Sequence, residues 1–151
     1  MTLQDHHGRR FNYLRLSVTD VCNFSCNYCL PDGYQCSDST PPLSVDEIRR
    51  VVTAFARQGT RKIRITGGEP LVRRDIGDLF TALGRKLGPK GHGGLEEMTL
   101  TTNATQLAGH AEALFKAGVR RVNVSLDTLD PQRFAELSRR DALAQVLEGI
   151  A

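Results

Sequence analysis

The chain contains no tryptophan, only 6% aromatic residues and two methionines. Basic stretches interleaved with aromatic ones, a common footprint of nucleic-acid binding, are missing, so no nucleic-acid partner is expected. No apolar run approaches the roughly 20 residues of a membrane-spanning helix, and no membrane partner is expected. Met1 to Arg10 holds no apolar segment of the secretory type. Cysteine is scarce, at four residues. Without an export signal, four cysteines point to metal or redox chemistry and away from a disulfide framework. A reducing compartment, most simply the cytoplasm, is the expectation.

What remains is the composition of an ordinary globular domain. Of 151 residues, 40% are hydrophobic and 25% charged. A chain of this size buries about 70% of its unfolded surface in one core. The net charge of +3 is spread over Arg9-Arg10, Arg49-Arg50, Arg73-Arg74, Arg120-Arg121 and Arg139-Arg140. Such pairs read as solvated faces or rims. They are compatible with an anionic ligand without identifying one.

One unit repeats along the sequence: strand, loop, helix. Strands are predicted over 14–19, 62–66, 97–101 and 121–126. A helix over 44–58 opens on a capping box, Ser44 with Glu47, and stops at Gly59. A second runs from Asp75, read as its N-cap, to Leu87. Five of the seven residues from Gly88 to Gly94 are glycine or proline, which marks a loop. A third helix, from Leu107 to Ala117, stops at Gly118. Asp130-Pro131 starts a fourth, and Asp141 is read as opening a fifth. Alternating strands and helices imply parallel strands with right-handed crossovers.

The strands alternate where buried parallel strands usually do not. Leu14, Leu16 and Val18 alternate with Arg15, Ser17 and Thr19. Ile63 and Ile65 alternate with Arg64 and Thr66. Met98 and Leu100 alternate with Thr99 and Thr101, and Val122, Val124 and Leu126 with Asn123, Ser125 and Asp127. A doubly wound sheet would bury the polar face under helices at high cost. A barrel with a wet interior would not. The expected class is therefore α/β, a partial (β/α) barrel. Four strands cannot close a barrel, so residues 1–151 read as the front portion of one larger, incomplete domain. In such barrels the site lies at the C-terminal ends of the strands.

Two motifs fall at those ends. Cys22, Cys26 and Cys29 follow strand 1 in the spacing C-x3-C-x2-C. Three thiolates from one loop can hold three irons of a cube and leave the fourth open to a small molecule. A zinc knuckle completed by Cys36, His6 or His7 is the competing reading. Cys36 lies seven residues past Cys29, beyond Pro31 and Gly33, a poor spacing for it. His6, His7, His92 and His110 read as surface residues. After strand 2 comes Gly67-Gly68-Glu69-Pro70. Its glycines permit close approach of a ligand to bare backbone. Glu69 can accept from an ammonium group, or simply cap the turn. Arg15 and Arg64 face the interior on neighbouring strands and call for anionic partners. Those partners are either a ligand or Asp127 and Glu69. Ser125 and Thr101 are interior hydroxyls, free for a ligand or bonded to backbone.

Together the cysteine and Gly-Gly-Glu-Pro motifs resemble the radical S-adenosylmethionine superfamily. A narrower resemblance, over about Gly8 to Ile150, is to the GTP 3′,8-cyclase family of molybdenum-cofactor biosynthesis, the MoaA type. It rests on the segments YLRLSVTD (13–20), KIRITGGEPL (62–71), LTTN (100–103) and RVNVSLDTLD (121–130). The resemblance implies a radical lyase with a 4Fe–4S cluster on Cys22, Cys26 and Cys29. It implies S-adenosylmethionine contacts at Tyr28, Gly68 and Ser125, and GTP contacts at Arg15, Arg64 and Thr101. One electron from an external donor would cleave the sulfonium. The resulting 5′-deoxyadenosyl radical would take hydrogen from C3′ of GTP, and C3′ would bond to C8. The family usually carries Asn-Gly after the third strand, where this chain has Asn103-Ala104. It also continues to a second cluster that is not in this sequence. A radical enzyme of another substrate, or a non-catalytic metal-binding paralogue, are the alternatives. The sequence leaves an oligomer open.

Overall fold

A computed structural model describes residues 3–33, 41–88 and 94–151. Cys36, His92 and most of the Gly88–Gly94 loop lie outside the described residues. Four strands, β1 (Tyr13–Ser17), β2 (Lys62–Thr66), β3 (Glu97–Thr102) and β4 (Arg121–Val124), form one sheet in the order β1-β2-β3-β4. Every pairing is parallel. Five helices connect and follow them: α1 (Val45–Arg57), α2 (Ile76–Gly84), α3 (Leu107–Lys116), α4 (Pro131–Ser138) and α5 (Leu143–Ile150).

Sequential order with parallel pairing is what repeated right-handed crossovers produce. The sheet is open, with β1 and β4 as its edges. The core lies on one face only. Ile63, Ile65, Met98 and Leu100 are fully buried against Ile48, Val52, Leu79 and Leu83 of α1 and α2. Leu14, Leu16, Val122 and Val124 pack against the same cluster, less completely, on the two edge strands. The opposite face carries the polar alternates, so the partial barrel read from the alternation is the observed architecture.

Local chemistry explains most element ends. The Ser44 hydroxyl accepts from the Glu47 amide, and the Glu47 carboxylate accepts from the Ser44 amide. Gly59 and Gly118 take φ of 98° and 97° just past α1 and α3, the left-handed stop that glycine permits. Asp130 accepts from the Arg133 amide at the start of α4.

Two helix starts differ from expectation. Asp75 precedes α2 but makes no side-chain cap. Its carboxylate is taken by Arg73 at 2.5 Å. That arginine is itself a correction, because its side chain is 7% exposed and not a solvated charge. Its guanidinium donates to the Val18 and Leu43 carbonyls, both at 2.7 Å. Asp141 does not open α5, which begins two residues later without a side-chain cap.

Candidate functional site

The C-terminal ends of the four strands surround an open cavity of about 240 Å³. Eight of the nine residues singled out from sequence line it: Cys22, Cys26, Cys29, Tyr28, Gly68, Ser125, Arg15 and Thr101. Arg64 does not line it. It stands level with Arg15 in the β1–β2 register.

The cysteines stand on a loop with no regular structure, held from two sides. At its start, the β1–β2 pairing continues past the strands. The Gly68 amide donates to the Thr19 carbonyl and the Glu69 amide to the Val21 carbonyl, both at 2.8 Å. Further on, the Ser25 and Asn27 amides donate to the carbonyls of Ser138 and Leu137, at 3.2 and 3.0 Å. Those carbonyls end α4 and have no helical partner of their own. Phe24 meets Phe134 of α4 edge-on, with ring centroids 5.8 Å apart.

Burial raises the thiol pKa of Cys22 and of Cys26. The charges of the neighbouring sulfurs add to it: Cys26 and Cys29 act on Cys22, and Cys29 acts on Cys26. The three sulfurs thus sit within one another's field while facing one cavity. Among the described residues, no three His, Cys, Asp or Glu side chains converge on a single ion-sized point. All three thiols line the same cavity, and three thiolates from one loop are the donors of an iron–sulfur cube held at three corners. The donor set therefore fits a polynuclear iron–sulfur group.

The Gly-Gly-Glu-Pro turn packs against the cysteine loop. A Cβ on Gly67 would lie 2.5 Å from the Thr19 oxygen, and one on Gly68 2.3 Å from the Val21 oxygen. The glycines permit close approach of the cysteine loop. Glu69 is 1% exposed. It accepts from the Leu71 amide (3.0 Å), the Thr102 hydroxyl (2.7 Å) and the Asn103 amide (2.7 Å). Its carboxylate braces the turn against the end of β3. Burial holds its pKa above the ordinary carboxylate value, against the pull of those hydrogen bonds.

Among the described residues, neither Arg15 nor Arg64 forms an ion pair with Asp127 or Glu69. Asp127 accepts from the Tyr28 hydroxyl at 2.5 Å, and Glu69 is occupied as described. The Arg64 Nε and the Thr101 Oγ1 are buried with no hydrogen-bond partner. The Arg64 guanidinium lies 5.6 Å from the centroid of the Tyr13 ring. Buried polar atoms are rarely left unpaired without a functional or solvent explanation. Tyr28 itself is 63% exposed, and its bond to Asp127 pushes its pKa up strongly.

Sequence reasoning missed Asn23, Asn103 and Thr105. Asn103 donates to Asn23 at 2.8 Å and Asn23 to Thr105 at 2.9 Å. Their partners are 80 or more residues apart, so no local pattern announces them.

An open sheet of parallel strands with three cysteines at the C-terminal ends of those strands defines a class: a partial barrel suited to a metal cluster. The chain belongs to the Radical SAM superfamily, which it matches over residues 16–151. The cofactors of that superfamily are a 4Fe–4S cluster and S-adenosylmethionine. The chain is 58% identical over 149 residues to the GTP 3′,8-cyclase of Erythrobacter litoralis, covering 99% of this chain and 44% of that one. It is 49% identical to the GTP 3′,8-cyclase of Rhizobium etli over 97% of this chain and 41% of that one. It thus spans less than half the length of these relatives. Among solved structures, Streptococcus suis SuiB bound to S-adenosylmethionine superposes with a TM-score of 0.62 at 23% identity, over 83% of this chain and 27% of that one. HydG, a maturase of the FeFe hydrogenase, gives 0.62 at 18% identity, over 91% and 33%. At those identities the likeness concerns the fold alone.

Proposed function

We propose that residues 1–151 are the N-terminal portion of the radical core domain of a GTP 3′,8-cyclase, with GTP as substrate. The superfamily assignment supports the radical chemistry, and the cyclase relatives support the substrate. The observation that carries the substrate class is the pair Arg15 and Arg64. They sit opposite one another on adjacent strands, where like charges repel, and Arg64 keeps a buried Nε without a partner. A triphosphate relieves both costs.

The division of labour follows from position. Cys22, Cys26 and Cys29 hold the cluster by three irons. Gly68, Ser125 and Tyr28 hold S-adenosylmethionine beside the fourth. Arg15, Arg64 and Thr101 hold GTP. When bound, the cluster and S-adenosylmethionine, with electrons from an external donor, would supply the radical chemistry that joins C3′ of GTP to C8. This chain's residues orient the two ligands across the strand ends. The helix-side core backs the sheet and keeps water from that side. Free thiols facing one cavity suit a reducing compartment, the cytoplasm.

Anaerobic addition of iron and sulfide should give a brown, oxygen-sensitive chain with about four irons, and Cys22→Ser should abolish the colour. GTP should bind, and Arg64→Met should weaken it about tenfold or more. A colourless protein that takes up one zinc sinks the cluster reading. Unchanged GTP affinity in Arg64→Met favours a radical enzyme of another substrate.

A further inference from the structure

The loop that carries the three cysteines is fastened to two different parts of the fold. Its first half belongs to the sheet. The Val18 amide donates to the Thr66 carbonyl, and the Thr19 and Val21 carbonyls accept from Gly68 and Glu69. Its second half belongs to α4. Besides the Ser25 and Asn27 amides, the Pro31 carbonyl accepts from Arg139, the residue just past that helix.

Between the halves, beside Cys22, lies a closed ring of three side chains. Asn23 Nδ2 donates to Thr105 Oγ1 at 2.9 Å. Thr105 Oγ1 donates to Asn103 Oδ1 at 2.7 Å. Asn103 Nδ2 donates back to Asn23 Oδ1 at 2.8 Å. Each group gives one hydrogen bond and takes one, so every bond reinforces the next. The ring is anchored below, because the Asn103 amide is held by the buried Glu69 carboxylate at 2.7 Å and the Thr105 amide by Asn103 Oδ1 at 3.1 Å. Cys22 is therefore tied on both sides to the ends of β2 and β3, through the Val21 carbonyl and the Asn23 side chain. Cys26 and Cys29 are held by other ties: α4 holds the Ser25 and Asn27 amides, and Tyr28, between the two cysteines, donates to Asp127 past the end of β4.

We propose that Asn23 is a positioning residue: clasped by Asn103 and Thr105, it fixes Cys22 against the ends of β2 and β3, independently of the contacts that hold Cys26 and Cys29. The proposal deepens the cluster reading and rests on it for its meaning, since a fixed corner matters only if the three thiolates share one group. A fixed first corner sets where the open iron stands relative to the strand ends.

Backbone hydrogen exchange on the 151-residue chain tests the clasp without any cofactor. Asn23→Leu keeps the size and breaks both bonds. It should speed exchange in residues 19–24 about tenfold, with residues 27–30 changed less than about twofold. Asn23→Asp still accepts from Asn103 and can accept from the Thr105 hydroxyl, so it should restore most of the protection. Equal acceleration in both segments means general loosening and overturns the proposal, as does no change in either. Should Asn23→Leu not fold, Thr105→Val opens the ring at one vertex, and the ratio between the segments is read in the same way. Iron content after reconstitution of the unaltered chain reports separately on the cluster reading. A chain that takes up no iron yet shows the segment asymmetry refutes the cluster and leaves the clasp standing.

Discussion

Replacing Gly68 by alanine tests how closely the cysteine loop and the Gly-Gly-Glu-Pro turn are joined. The added methyl would lie 2.3 Å from the Val21 oxygen, 2.6 Å from the Asp20 oxygen and 2.6 Å from the Val21 carbonyl carbon. All three are backbone atoms, so no rotamer change relieves the overlap. Either the clash is kept, at about 1–3 kcal/mol for overpacking, or the segments part. Parting costs the Gly68–Thr19 and Glu69–Val21 hydrogen bonds, about 1 kcal/mol each. The two routes are alternatives more than addends, so the expected loss is about 2–4 kcal/mol, a large share of the 5–15 kcal/mol typical of a domain. Urea unfolding followed by far-ultraviolet circular dichroism measures it. Gly77→Ala is the control: it lies in α2 with nothing within 4 Å of the new methyl, and should gain about 0.5–1 kcal/mol. Because the displaced atoms lead directly into Cys22, iron uptake should fall as well. If Gly68→Ala unfolds within about 0.5 kcal/mol of the parent, at the same denaturant slope, the close approach is not what holds the loop.

Ala104 is buried at φ 65°, a conformation costly for any residue with a Cβ, so Ala104→Gly should stabilise the chain by about 0.5–1 kcal/mol despite the lost methyl. A lower melting temperature for that variant contradicts this. Arg64→Met removes a buried unpaired Nε and should raise ligand-free stability by about 1 kcal/mol while weakening GTP binding. Loss of both stability and binding would show that Arg64 has a structural partner. Glu69 supplies a pH signature. Its folded pKa lies above its ordinary value of 4.5, so the folded chain keeps that proton longer than the unfolded one. Its contribution is full below pH 4.5 and declines as pH rises through the folded value. Stability curves of the parent and Glu69→Gln should differ by that decline. Asp75 and Glu47 are shifted down, so their contributions fade below their ordinary values, in a separate window at lower pH. Parallel curves for parent and variant above pH 4.5 would remove Glu69 as the source.

Local chemistry in the sequence determined the repeated units and their caps. The capping box at Ser44, the stops at Gly59 and Gly118 and the Asp130-Pro131 start all work between residues a few positions apart, which is why they could be read directly. The two-residue alternation in the strands determined that one face would be apolar and one polar, and so the kind of barrel. The Cys-x3-Cys-x2-Cys spacing determined the donor set. Only the tertiary structure decided what each of the other motif residues touches. Asp75 could cap α2 by position, but Arg73 lies closer. Glu69 takes one donor from its own turn, the Leu71 amide, and two from the end of β3, the Thr102 hydroxyl and the Asn103 amide. Gly67 and Gly68 are small because the backbone of another loop presses on them, which spacing along one segment cannot reveal. The Asn23–Thr105–Asn103 ring joins residues 80 positions apart, and hydrogen bonds at that separation depend on how the strands are ordered. Periodicity reports which face a residue takes. Which partner it meets there is set by the packing of the whole sheet.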